Sequence, residues 1–204
     1  KGQIMKRFLR NDLQIISNLI NNNEKILDVG CGDGNLIEYL STKKNGDCKG
    51  IEIELKNVNL CLEKGLSVIQ GDANFDLNDF SDNSFSTVIL SQTIQATKFP
   101  EVVMKNLIRI GKRAIISFPN FGYWKIRKDF LFSGKMPKNK ILPYEWFNTP
   151  NIHLCSISDF LFFCKRSNIK INELILLNEK GNRIYNRFFA NLLSFQVIFC
   201  VSKK

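Results

Sequence analysis

The sequence predicts an α/β fold: a mostly parallel, seven-stranded sheet with helices on both faces. Three observations lead there. Short apolar runs of strand length alternate with stretches of helical spacing through most of the chain. Three alternate glycines, Gly30, Gly32 and Gly34, sit at the first strand-to-helix junction. Glycine there lets a backbone approach a ligand, and the helix start offers free N–H groups and a positive dipole end. Finally, two further apolar runs close the chain.

Taken in order, residues 11–20 read as a lead-in helix, with Leu13, Ile16 and Ile20 at helical spacing. Asn21-Asn22-Asn23 breaks it. Residues 25–29 (Lys-Ile-Leu-Asp-Val) form the first buried strand, and Leu36, Ile37 and Leu40 mark the helix that follows the glycines. Further strands are expected over 48–54, 66–73, 85–92 and 113–118, with a helix over 100–108. A helix over 158–165 follows, with Ser156 or Ser158 as a cap. Strands over 169–177 and 195–201 then close the sheet. Between the 113–118 strand and the 158–165 helix, residues 119–155 lose all period. That stretch holds Pro119, Pro137, Pro143 and Pro150 together with Tyr123, both tryptophans (Trp124, Trp146), Tyr144 and Phe147, and is expected to be an irregular insert.

At 204 residues the chain suits one domain, residues 1–204, with a proper core. No apolar run approaches the roughly 18–20 residues needed to cross a bilayer. The start, Lys1-Gly2-Gln3-Ile4-Met5-Lys6-Arg7, has no signal-peptide core and no initiator Met, so a trimmed start is expected. Six scattered cysteines without a C-x-x-C pair read as free thiols in a reducing cytoplasm. One histidine and no clustered cysteines argue against a metal site. The net charge of +10 is densest at Lys125, Arg127, Lys128, Lys135, Lys138 and Lys140, interleaved with Trp124, Phe130 and Phe132. Lysine is abundant throughout, so a solvated charged face is the favoured reading over a nucleic-acid surface.

The glycine loop has chemistry of its own. A dinucleotide fingerprint needs Gly or Ala three residues after its second glycine, and Asn35 stands there. The pattern is instead an acid, Asp28, followed by Gly30-Cys31-Gly32-Asp33-Gly34. Glu52 lies at the end of the next strand, where an acid can accept from ribose hydroxyls. Glu54 is its rival.

The loop resembles motif I of the class I S-adenosylmethionine (SAM) methyltransferases. That resemblance implies a Rossmann-like class I methyltransferase fold and a SAM or S-adenosylhomocysteine pocket. Asp28, Gly30, Cys31 and Gly32 would then wrap the methionine part. An apolar residue after the acid favours Glu52-Ile53 as the ribose site. Asp72 and Ala73, in Gly71-Asp72-Ala73, would meet the adenine, and Ser91 would lie beside the methionine part. Longer blocks resemble the methionine biosynthesis protein W (MetW) family: Arg10-Asn11-Asp12-Leu13, residues 89–96, residues 117–122, Leu142-Pro143-Tyr144 and residues 149–155. Tyr123 departs from the expected His. The resemblance implies a protein of methionine biosynthesis that accompanies homoserine O-acetyltransferase.

If methyl transfer occurs, a proton acceptor is needed only for a protonated nucleophile. His153 and Tyr144 are the candidates, with Asp12 and Glu145 behind them. A loop hydrogen bond is the favoured role for His153. Tyr144, Trp146 and Trp124 would form a lid, or else serve as core or interface anchors. Ser91-Gln92-Thr93-Ile94 replaces the Asn/Asp-Pro-Pro-Tyr tetrad of amino-methylating enzymes. Three functions follow: an accessory partner of the acyltransferase, a small-molecule methyltransferase, or an RNA methyltransferase using residues 125–140.

Overall fold

The computed structural model describes residues 9–204, so the Lys1–Arg7 segment discussed above lies outside the described residues. Helix α1 (Asn11–Asn18) leads into β1 (Lys25–Val29), α2 (Asn35–Lys44), β2 (Asp47–Glu52), α3 (Leu55–Glu63) and β3 (Val68–Gln70). Next come β4 (Phe85–Ser91), α4 (Pro100–Ile110), β5 (Gly111–Pro119) and α5 (Trp124–Ser133). The chain closes with α6 (Ile157–Arg166), β6 (Ile169–Leu177), β7 (Arg183–Ile184), α7 (Ala190–Leu193) and β8 (Gln196–Lys203).

The sheet order is β3-β2-β1-β4-β5-β8-β6-β7. Strands β1 to β5 pair in parallel, whereas β8 pairs antiparallel with both β5 and β6. The order reverses between β1 and β4, which opens a crevice at their carboxyl ends.

The central strands are apolar on both faces because helices cover both. Their period of two divides each run between two cores. Leu27, Val29, Val88, Leu90, Ile116 and Phe199 pack with α4 and α6. Ile26, Ile89, Ile115 and Ile198 pack on the opposite face with α1, α2 and α3. Capping also shapes the helices. Ser156 Oγ accepts from the Asp159 amide while the Asp159 carboxylate accepts from Ser156 N, so a capping box starts α6.

Two expectations are corrected. The sheet has eight strands rather than seven, because the two-residue β7 pairs with the end of β6. The 119–155 stretch is not irregular throughout: α5 fills the interval between Pro119 and Pro137. Its prolines punctuate the segment without entering the helix. Among the described residues no helix is long and apolar enough to cross a membrane.

Behind β8, Phe118, Phe160 and Phe199 form one aromatic cluster, with centroids 4.5–5.9 Å apart. Phe199→Ala is expected to cost about 3–5 kcal/mol of unfolding free energy in urea titration. A loss near zero would mean that α6 does not depend on this cluster.

Candidate functional site

The crevice is built by the loop between β1 and α2 lying against the end of β2. Gly30 N and Cys31 N both donate to Ile51 O, at 2.8 and 3.2 Å. Gly32 N donates to Glu52 Oε2 at 2.7 Å, and Glu54 N donates to Glu52 Oε1 at 3.0 Å. Glu52 is therefore the residue brought to the loop, and its second bond turns the chain out of β2. Glu54 instead stands at the N-terminal boundary of α3, where its backbone carbonyl accepts from Asn57 N and Val58 N.

Two glycines have different reasons to be glycine. Gly30 has φ +71°, and a Cβ there would sit 2.6 Å from Thr93 Oγ1, so the space is taken by the turn after β4. Gly32 has φ +56°, yet a Cβ there would meet nothing within 4 Å. Space above Gly32 is open, as a closely approaching ligand requires.

Asp28 is 3% exposed and Glu52 6% exposed. Burial first, and the neighbouring Glu52 charge second, push the Asp28 carboxyl up to about 7, with Arg10 partly opposing them. Arg10 itself forks onto Asp12 at 3.1 Å through Nε and Nη2, and Gln196 Nε2 donates to the same carboxylate. Asp12 is thus committed to holding α1 against β8.

Asp72 Oδ1 accepts from Asn74 N and Nδ2 at 2.8 and 2.6 Å, while Asp72 N donates to Asp76 Oδ2. Gly71 N donates to Glu52 O at 3.0 Å, which ties this segment to β2. Ala73 follows in the same turn, and its N–H has no acceptor among the described residues. Ile53 is 56% exposed just past the end of β2. Ser91 ends β4, but its hydroxyl lies 3.0 Å from Ser117 Oγ, toward β5 and away from β1. Cys31 packs beside Gly50, and burial raises its thiol well above the usual range, so it is no ready thiolate. All six cysteines are free thiols. Among the described residues no group of three or more His, Cys, Asp or Glu side chains is placed to hold a metal ion.

The two proton-acceptor candidates are not brought together. His153 stands on the wall of a cavity of about 320 Å³ with Ile94, Gln95, Met104 and Phe160, and its Nε2 lies 3.4 Å from Lys98 O. Tyr144 is half exposed and does not line that cavity. Tyr123, at the position where His was expected, is buried and donates to Glu179 Oε1 at 3.0 Å.

Some neighbours of the loop were not singled out from sequence. Lys64, at the end of α3, donates to Asp33 O and to Asn35 Oδ1, clamping the loop from outside. Thr93 packs on Gly30, and the Arg10 charge, held on Asp12, partly opposes the rise at Asp28. Arg10 lay in a recognisable block, but nothing in its spacing pointed at Asp28.

A family model described as methionine biosynthesis protein MetW matches residues 10–201. The chain belongs to the MetW family. It is similar to the bifunctional methionine biosynthesis protein MetXA/MetW of Rhodopirellula baltica, 31% identical over 183 residues. The match covers 85% of this chain and 29% of that relative, so the chain spans less than a third of the relative's length. Among solved structures, a TehB-like SAM-dependent methyltransferase from Corynebacterium glutamicum superposes with TM-score 0.65 at 17% identity, covering 98% of this chain and 90% of that one. The [4+2]-cyclase SpnF superposes equally well, TM-score 0.65 at 13% identity over 95% and 81% of the two chains. The MetW chain therefore has the class I SAM-dependent methyltransferase fold, and that fold alone does not name a reaction.

Between about pH 4 and 7 the folded chain holds the Asp28 proton that the unfolded chain, with the ordinary value of 3.8, has released. The folded state binds more protons there, so its stability falls as pH rises through that window. Asp28→Asn removes the cost. Thermal unfolding at about pH 8 should show the variant more stable by on the order of 2–4 kcal/mol, with the difference vanishing near pH 4. Equal pH profiles would show that Asp28 is not held in this state.

Proposed function

We propose that this MetW chain binds SAM or S-adenosylhomocysteine above the ends of β1, β2 and β4 and serves methionine biosynthesis as an accessory partner of homoserine O-acetyltransferase. The observation that carries the ligand is the buried acid pair, Asp28 and Glu52, beside the open space at Gly32. An acid at the end of β2 is common to dinucleotide sites, but a second buried carboxylate at the loop itself, Asp28, favours a cation there and disfavours a pyrophosphate. SAM brings a sulfonium and an α-ammonium group, whereas a dinucleotide brings anionic phosphates.

Each residue then has a role. Both Glu52 oxygens accept one amide N–H and keep lone pairs for ribose hydroxyls. Asp72 Oδ2 accepts from the adenine amino group, the Ala73 N–H meets the ring, and exposed Ile53 covers it. Asp28, Gly30, Cys31 and Gly32 enclose the methionine part, with the backbone at Ser91, whose hydroxyl is turned to Ser117, at its far side. Bound SAM supplies an activated methyl group.

The partnership is supported by the fused relative, whose name joins MetXA to MetW in one chain. Since SAM is made from methionine, ligand-dependent affinity for the acyltransferase would report downstream supply. Such sensing requires different affinities with and without ligand. A second reading, methyl transfer to a small molecule, is favoured by one observation. The His153 cavity of about 320 Å³ opens at the Ile94–Gln95 turn just beyond β4.

The experiment is a titration of this chain into its cognate homoserine O-acetyltransferase, following coenzyme A release with and without SAM. A saturable change in rate is expected. No change together with S-adenosylhomocysteine release from cell extract would favour the methyltransferase instead. In parallel, Gly32→Ala should fold with a penalty of about 1–2 kcal/mol, since only its φ is strained. It should bind SAM at least tenfold more weakly in calorimetry. Parent-like affinity would remove the Gly32 loop from the ligand site.

A further inference from the structure

Helix α5 has ten residues and buries none of them. A helix on a globular protein ordinarily buries an apolar stripe. Here Leu131 and Phe132 are 77% and 79% exposed, and Trp146, in the segment that follows, is 74% exposed. One end of the helix is firmly held. Arg127 Nε donates to Gly122 O at 2.6 Å, and Lys125 Nζ pairs with Glu179, which also accepts from Tyr123. The other end, capped by Gly134 in the left-handed region, carries the exposed aromatic residues.

Beside α5 runs a groove of about 330 Å³, with Phe121 and Leu142 at its floor and Ile126, Phe130, Met136 and Pro137 along its walls. The groove has room for one or two large side chains. Around it, from Trp124 to Phe147, six basic side chains face two acids, Asp129 and Glu145; with Asp159 on the groove wall and Glu179 on Lys125 counted, the surplus is two positive charges. Lys125 and Lys138 are paired with carboxylates, whereas Lys128, Lys135 and Lys140 make no ion pair among the described residues. An aromatic centre with an anchor groove and a charged rim is the anatomy of a protein interface.

We propose that the α5 face docks an acidic-rimmed protein surface that lodges an apolar side chain in the groove. The occupant is the acyltransferase partner, an assignment that rests on the accessory role proposed above. The lysine rim calls for acidic complementarity. The groove calls for a projecting side chain, which neither a phosphate backbone nor a headgroup layer provides. A relative that carries both proteins in one chain places such surfaces within reach of each other.

The test measures the affinity of the full chain for purified homoserine O-acetyltransferase by calorimetry. Leu131→Asp/Phe132→Asp should weaken binding at least tenfold. Lys128→Glu/Lys135→Glu should also weaken it and flatten its salt dependence. The distant Lys43→Glu, on α2, should bind as the parent does, and unchanged SAM affinity would show that the variants are folded. Equal affinity of the parent and the Leu131/Phe132 variant would overturn the docking site while leaving the partnership standing. Failure of the parent to bind would remove the partnership and the docking site together. Binding of the parent to phosphatidylglycerol vesicles or poly(A) RNA instead, lost in the same variants, would overturn it in favour of a membrane or RNA surface.

Discussion

The glycine loop after β1 is held against the end of β2 by three amide donors. Two of them go to the Ile51 carbonyl and the third to the Glu52 carboxylate. Without those bonds the loop would have no fixed distance from the second strand, and the crevice would have no floor. The same bonds place a buried carboxylate at the loop, and the Asp28 carboxyl lies close enough to feel its charge. A loop that must pass close to β2 brings its acids together, and on the SAM reading proposed above that acidity would select a cationic nucleoside over an anionic one.

Everything behind the crevice serves to keep that junction rigid. Period-two alternation in β1, β4, β5 and β8 feeds two cores at once, so helices grip the sheet from both faces. Beyond the core the constraint loosens. The segment between β5 and α6 is attached through a few specific contacts, among them Asn120, which donates to Asn191 O and Ser194 O, and Tyr123 on Glu179.

The core and the crevice were legible in the sequence because both are local. Strand-length apolar runs and the acid-glycine pattern carry their own spacing, and Glu52 falls at its strand end because its carboxylate turns the chain there. What the sequence hid was set by packing or by brevity. Helix α5 was masked by the prolines around it and by an exposed surface without an apolar stripe. Strand β7 has two residues, too few for any period. The Ser91 hydroxyl turns to Ser117, a choice made by the neighbouring strand. Lys64 and Thr93 reach the loop only because α3 and the turn after β4 fold back on it.

The central claim is that an acid-lined crevice recognises a cationic nucleoside. Calorimetric titration of SAM into the full chain at about pH 8, beside the Glu52→Gln variant and beside NAD, tests it most directly. Saturable one-site SAM binding, a loss of about 1.4 kcal/mol or more in Glu52→Gln, and no heat from NAD are expected. No SAM binding, or equal affinity in Glu52→Gln, would contradict it.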